Sequence, residues 1–205
     1  MTHRLINQYT QFGGAMGYNK KLMAAVFGIA AAAGMPQAYA DPSAAMMANT
    51  CAGCHGTNGQ SVGPASPNLA GMSETYFIDT MTYFKEGERP ATIMDRIAKG
   101  YSESQIEAMA KHFAAMPVYK AAQDVDGSAG EPIYEKSCSK CHDEGGALPD
   151  DDAGILAGQW LPYLQFSMAD FKSGDREAPK KMAKAVSKLS DAELDAVLKY
   201  FASQK

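Results

Sequence analysis

Two copies of one five-residue pattern account for every cysteine in this chain: Cys51-Ala52-Gly53-Cys54-His55 and Cys138-Ser139-Lys140-Cys141-His142. Both read C-x-x-C-H. Two thiols three positions apart on a helical turn can each add across one vinyl group of the same porphyrin, and the adjacent imidazole then lies beneath the iron. A thioredoxin-like pair would want a βαβ context. A closed structural zinc site would want four ligands, whereas each cluster supplies three. The pattern predicts two covalently bound haem c groups, attached at Cys51, Cys54, Cys138 and Cys141, with His55 and His142 as axial iron ligands.

The first cysteines of the two motifs stand 87 residues apart, and that offset recurs well beyond them. Leu69-Ala70-Gly71 aligns with Leu156-Ala157-Gly158, Tyr76 with Tyr163, Met81 with Met168, Phe84-Lys85 with Phe171-Lys172, Gly87 with Gly174 and Arg89 with Arg176. One inserted residue then shifts the offset to 88, pairing Met94 with Met182, Ser102 with Ser190 and Phe113 with Phe201. Such self-similarity is an internal duplication. No apolar/polar alternation of a strand is sustained, so the fold class is all-α, in two related domains. Their expected bounds are 41–116 and 131–205. Between them, 117–130 loses helical periodicity and carries Asp126-Gly127-Ser128, and it reads either as a linker or as an ordered strap holding Val118, Tyr119 and Val125. Helices are expected over Pro42–Ala52, Thr75–Lys85, Thr92–Lys99, Pro132–Cys141, Leu161–Lys172 and Pro179–Ser187. Two final helices open on the capping boxes Ser102-x-x-Gln105 and Ser190-x-x-Glu193.

Residues 1–40 have a different character. They contain no acid, their charges are Arg4, Lys20 and Lys21, and a twelve-residue apolar run, Leu22–Ala33, precedes Ala38-Tyr39-Ala40. This is the pattern of a secretory signal peptide cleaved after Ala40, with Met16 as an alternative start. The apolar run is short of the about 20 residues that cross a bilayer. Removal of this segment moves the formal charge from −4 to about −7. That acidity argues against nucleic-acid binding.

The sixth iron ligand must come from a short list. Beyond position 40 the histidines are His55, His112 and His142, so bis-histidine ligation of both haems is impossible within this chain. His112 aligns with Tyr200 and reads as a surface or core histidine rather than a ligand. Met81 and Met168 lie among aromatic residues on amphipathic helices, where methionine usually fills core. Met94 and Met182 stand 43 and 44 residues beyond their first cysteines, and they are assigned as axial ligands. His/Met ligation closes the iron and raises its potential, which suits electron transfer rather than oxygen chemistry. Arg89 and Arg176 read equally well as partners of haem propionates or as solvated helix-end residues. Tyr76, Tyr163 and Trp160 read as haem-packing or interdomain core. Residues for substrate chemistry are not evident.

The tandem C-x-x-C-H domains resemble the dihaem class I cytochromes c. Leu156–Trp160 with Tyr163-Leu164 and Gly174-Asp175-Arg176 resemble the cytochrome c-four branch. More specifically, CAGCHGTNGQSVGPASPNLAGM (Cys51–Met72), ATIMDRIAKGYS (Ala91–Ser102) and ILAGQWLPYL (Ile155–Leu164) resemble the dihaem cytochrome subunit of flavocytochrome c sulfide dehydrogenase. That resemblance implies a periplasmic electron-transfer subunit, not catalytic alone. Its partner would be a separate FAD-bearing subunit that oxidises sulfide and passes electrons on one at a time. The same resemblance implies the ligand pairs His55/Met94 and His142/Met182. The alternative function is a free dihaem carrier serving a terminal oxidase or another redox partner.

Overall fold

The computed structural model describes residues 42–205, which contain helices, turns and loops and no strand. The expected signal peptide lies outside the described residues. In the first half, Ser43 caps α1 (Ala44–Thr50) by accepting from the Met46 N–H, and α2 (Ala52–His55) carries most of the first motif. Helix α3 (Glu74–Glu86) starts at the Ser73 cap and stops at Gly87, which adopts φ 82°. A short α4 (Met94–Ile97) leads to α5 (Glu103–Ala114). The second half repeats this order with α6 (Glu131–Ser137), α7 (Leu161–Ser173), α8 (Lys180–Val186) and α9 (Asp191–Ser203). Both expected capping boxes form, Ser102 with Gln105 and Ser190 with Glu193.

Two expected helices are shorter in the structure. The helix expected over Pro132–Cys141 ends at Ser137, because Cys138 departs to φ −121°. Turn hydrogen bonds from Cys141 and His142 to the Cys138 carbonyl, 3.1 and 3.0 Å, still hold the two thiols and the imidazole on one turn. The segment Thr92–Lys99 resolves into the four residues of α4 and a 3₁₀ turn, Ala98–Gly100.

Each half has its own apolar core. The first gathers Met47, Phe77, Met81, Ile106, Met109 and Phe113. The second gathers Tyr134, Leu164, Leu194, Val197, Leu198 and Phe201. The apolar face of α9 supplies most of the second core, and that of α5 supplies Ile106, Met109 and Phe113 to the first, as their 3.6-residue period requires.

The repeated Leu-Ala-Gly has one structural job in both halves. Leu69 and Ala70 donate to the Gly59 carbonyl and Gly71 to that of Phe113; Leu156 and Ala157 donate to Gly146 and Gly158 to Phe201. The motif thus ties the loop after each haem motif to the last helix. Gly71 and Gly158 take φ 76° and 66°. A Cβ there would lie 2.9 Å from Val118 Cα or 2.4 Å from Lys120 Cα, so only glycine admits the chain that crosses them. That chain is the segment between the halves. It is an ordered strap: the Ala121 N–H donates to the Gly158 carbonyl at 2.8 Å, and the Gln123 side chain bonds Gln159, Leu161 and Ala202. The linker reading gives way to this, since these backbone groups find their partners inside the molecule.

A buried polar clasp joins the halves directly. The Asn68 N–H donates to Gln159 Oε1 at 2.8 Å, and Gln159 Nε2 donates to the Asn68 carbonyl at 3.1 Å. Asn68 Nδ2 reaches the Gly158 carbonyl, and Trp160 Nε1 reaches that of Ser61. Nearby, the repeated arginines and tyrosines cross over. Arg89 donates to Tyr163 Oη at 3.4 Å and Arg176 to Tyr76 Oη at 3.3 Å. Each guanidinium also lies over an aromatic ring of its own half, Arg89 on Phe84 at 4.9 Å and Arg176 on Phe171 at 4.1 Å. These half-buried arginines are therefore seam residues, and the solvated helix-end reading is corrected.

Replacing Gln159 by Leu leaves the Asn68 N–H and carbonyl unpaired in the seam. The stability of the holoprotein should fall by about 2–3 kcal/mol, read as a lower urea midpoint with an unchanged haem spectrum. Tyr76→Phe, which removes one partner at the edge of the crossed pair, should cost about 1 kcal/mol in the same assay.

Candidate functional site

The motif cysteines are free thiols, with Cys51 and Cys138 half-buried and Cys54 and Cys141 exposed. Burial pushes the Cys51 thiol above its ordinary range, against the opposing Thr50 hydrogen bond, and it pushes Cys138 up to about 11. A redox-active C-x-x-C pair works through a depressed thiol pKa. Cys51 and Cys138 are shifted the opposite way.

His55 is buried, with its Nδ1 2.9 Å from the Pro67 carbonyl. A carbonyl can only accept, so Nδ1 carries the proton and Nε2 keeps an unshared lone pair, the state required of a neutral metal-binding imidazole. Burial also holds its pKa below the ordinary histidine value, against the Pro67 hydrogen bond. His142 is half-buried, edge-on to Phe201 with ring centroids 5.9 Å apart, and burial lowers its pKa too, against the pull of Asp150. At both imidazoles burial favours the neutral form.

The repeated methionines grade from the core to its edge: Met81 is buried, whereas Met168, Met94 and Met182 are each half-buried, and Met94 packs against the first core as Met168 does against the second. Met94 is the first residue of α4 and Met182 the third residue of α8. Met182 opens on a cavity of about 290 Å³ walled by Phe171, Val186, Leu189 and Leu194. His112 packs edge-on against Phe113 at 5.5 Å on α5. In chemical terms the donor set fits haem c: thiols in pairs, an imidazole beside each pair, and, in the second half, a thioether facing an apolar cavity.

The sequence reading did not identify the Pro67 carbonyl that orients His55 or the clasp between Asn68 and Gln159. The crossed Arg89/Tyr163 and Arg176/Tyr76 pairs had a legible signal. Both residue types recur at the 87-residue offset, as a pair exchanged across a pseudo-twofold seam must.

Comparison with known proteins agrees with this architecture. Residues 40–123 match the family described as Cytochrome c, and residues 125–201 match Cytochrome C oxidase, cbb3-type, subunit III. The chain is 31% identical to a thiosulfate dehydrogenase electron acceptor of Thiomonas intermedia, over 82% of each chain. It is 30% identical to a cytochrome c4 of Thiocapsa roseopersicina, over 78% of this chain and 91% of that one. A cytochrome subunit of sulfide dehydrogenase from Chlorobaculum tepidum is 42% identical, over 31% of this chain and 57% of that protein. Among solved structures, reduced cytochrome c4 from Pseudomonas stutzeri shares the fold, with TM-score 0.68 and 21% identity over 80% of this chain and all of that one. The thiosulfate dehydrogenase TsdBA of Marichromatium purpuratum superposes with TM-score 0.66 at 27% identity over 76% of this chain, which spans 36% of that longer chain. With two haem motifs, a duplicated helical fold and relatives matched along most of their length, the chain belongs to the cytochrome c4-like dihaem cytochromes c and binds two covalent haem c groups.

Proposed function

We propose that this protein is the periplasmic electron-transfer subunit of a sulfide dehydrogenase, receiving electrons one at a time from a separate FAD-bearing subunit. The Chlorobaculum tepidum relative, at 42% identity, carries this reading. The signal-like segment 1–40 supports export, with domains over 41–116 and 131–205. The haems are attached at Cys51, Cys54, Cys138 and Cys141, with axial pairs His55/Met94 and His142/Met182. When bound, each haem iron cycles between two oxidation states by one electron, so two haems match the two electrons that sulfide releases on becoming elemental sulfur.

The protein's own part is to hold that chemistry still and closed. The Pro67 carbonyl fixes the tautomer and plane of His55. Met94 and Met182 would supply thioether ligands that fill the position opposite each imidazole, which would favour electron transfer and exclude substrates. The clasp and the crossed arginines keep the halves in one relative position, which favours transfer between them without a search. A second reading, acceptor for a thiosulfate dehydrogenase or a free carrier of the cytochrome c4 kind, is favoured by the longer match to the Thiomonas intermedia relative.

Purified from its native source, the protein should bring with it a flavin-containing subunit, and sulfide should reduce both haems. Reduction by thiosulfate and not by sulfide would replace this reading with the second. For the ligands, Met94→Leu and Met182→Leu should each abolish about half of the Met–iron charge-transfer absorbance and lower one of the two potentials. Met81→Leu should change neither.

A further inference from the structure

Helix α8 has two unlike faces. At 3.6 residues per turn, Met182 and Val186 share its inner side, while Lys180, Lys181 and Lys184 fall within an arc of roughly 100° on the outer side, and Lys188 follows in the turn just beyond the helix. All four lysines are exposed, and among the described residues none forms an ion pair. No acid occurs from Lys180 to Ser190. Lys172 is a different case, since it is paired with Asp191 at 2.6 Å.

The duplication supplies an internal control. In the first half the aligned segment, whose helix starts two positions later at Met94, carries Thr92 for Lys180, Ile93 for Lys181, Arg96 for Lys184 and Gly100 for Lys188, and Asp95 stands where the second half has Ala183. Ile93 and Ile97 are exposed there, at 44% and 38%. The fold therefore does not require the lysines. Four like charges on one short segment repel one another, and they are concentrated in a chain whose exported charge is about −7. A partner drawn to the overall charge would be basic; this face selects an acidic one.

We propose that the outer face of α8 is a docking surface for the acidic face of a soluble one-electron redox protein that exchanges electrons with the second half. A partner seated there lies about one helix diameter, ~10 Å, from Met182. The proposal rests on Met182 as the iron ligand and is independent of whether sulfide or thiosulfate supplies the electrons. In the exchange, one electron leaves the reduced cytochrome and reduces the partner's centre by one.

The test uses the holoprotein, an acidic blue-copper protein as probe, and two double variants of equal charge change: Lys181→Glu with Lys184→Glu on the face, and Lys99→Glu with Lys111→Glu away from it. Calorimetric binding of the oxidised pair at low salt should weaken about tenfold or more for the face variant and less than about threefold for the other. The electron-transfer rate constant should follow, and its decline with salt should flatten. Unchanged haem bands show that both variants are intact. Equal losses in both variants, or none in either, would overturn the proposal. So would binding of the wild type to phosphatidylglycerol vesicles but not to the blue-copper protein, which would assign the face to lipid. The Met–iron band is a separate readout: if Met182→Leu kept it at full intensity instead of about half, the ligand reading would fail while the binding result still stood.

Discussion

Each half of this molecule must close around a rigid apolar disc with only about 75 residues of helix and loop. That constraint explains most of what is unusual in it. A chain this short buries a modest core; the second is assembled largely from the inner face of α9, and the first from α5 together with α1 and α3. Covalent attachment of haem adds apolar interior that the protein alone does not provide. The remaining polar backbone at the loops needs partners, and it finds them in the Leu-Ala-Gly motif, the strap and the opposite half.

The seam is where the two small cores become one unit. Its contacts are polar, yet they are satisfied reciprocally, as in the pair of amide hydrogen bonds between Asn68 and Gln159. A satisfied buried network rigidifies and fixes a unique arrangement, where a half-satisfied one would weaken it. The crossed Arg89/Tyr163 and Arg176/Tyr76 pairs extend that logic to charge. Burial favours neutral forms at both ends, but the Arg89 and Arg176 cations still hold the Tyr76 phenol below its ordinary range. Rigid relative placement of two redox centres is what an electron relay needs from its protein.

Much of this was legible in the sequence because it is local or periodic. The C-x-x-C-H motifs, the all-α class, both capping boxes and the packing role of Met81 all follow from spacing within a few turns. The end of α6 at Ser137 was not legible, since it depends on a single departure of Cys138 from helical angles. The clasp, the strap and the Pro67 carbonyl involve backbone groups or residues about 90 positions apart, and backbone hydrogen bonds leave no mark on residue type. Arg89 and Arg176 fall between these cases. Their repetition was visible, but not that each reaches into the other half.

Duplication followed by divergence gives the two halves a shared interior and different exteriors. Inside, His55 and His142, and Met94 and Met182, occupy aligned positions; outside, the segment before the last helix carries Thr92, Ile93 and Arg96 in one half where the other has Lys180, Lys181 and Lys184. The central claim is that both interiors present one His/Met-ligated iron. Near-infrared magnetic circular dichroism of the oxidised holoprotein tests it most directly: the account predicts a His/Met charge-transfer band with the intensity of two haems per chain, and a bis-nitrogen or high-spin signature from either iron would contradict it.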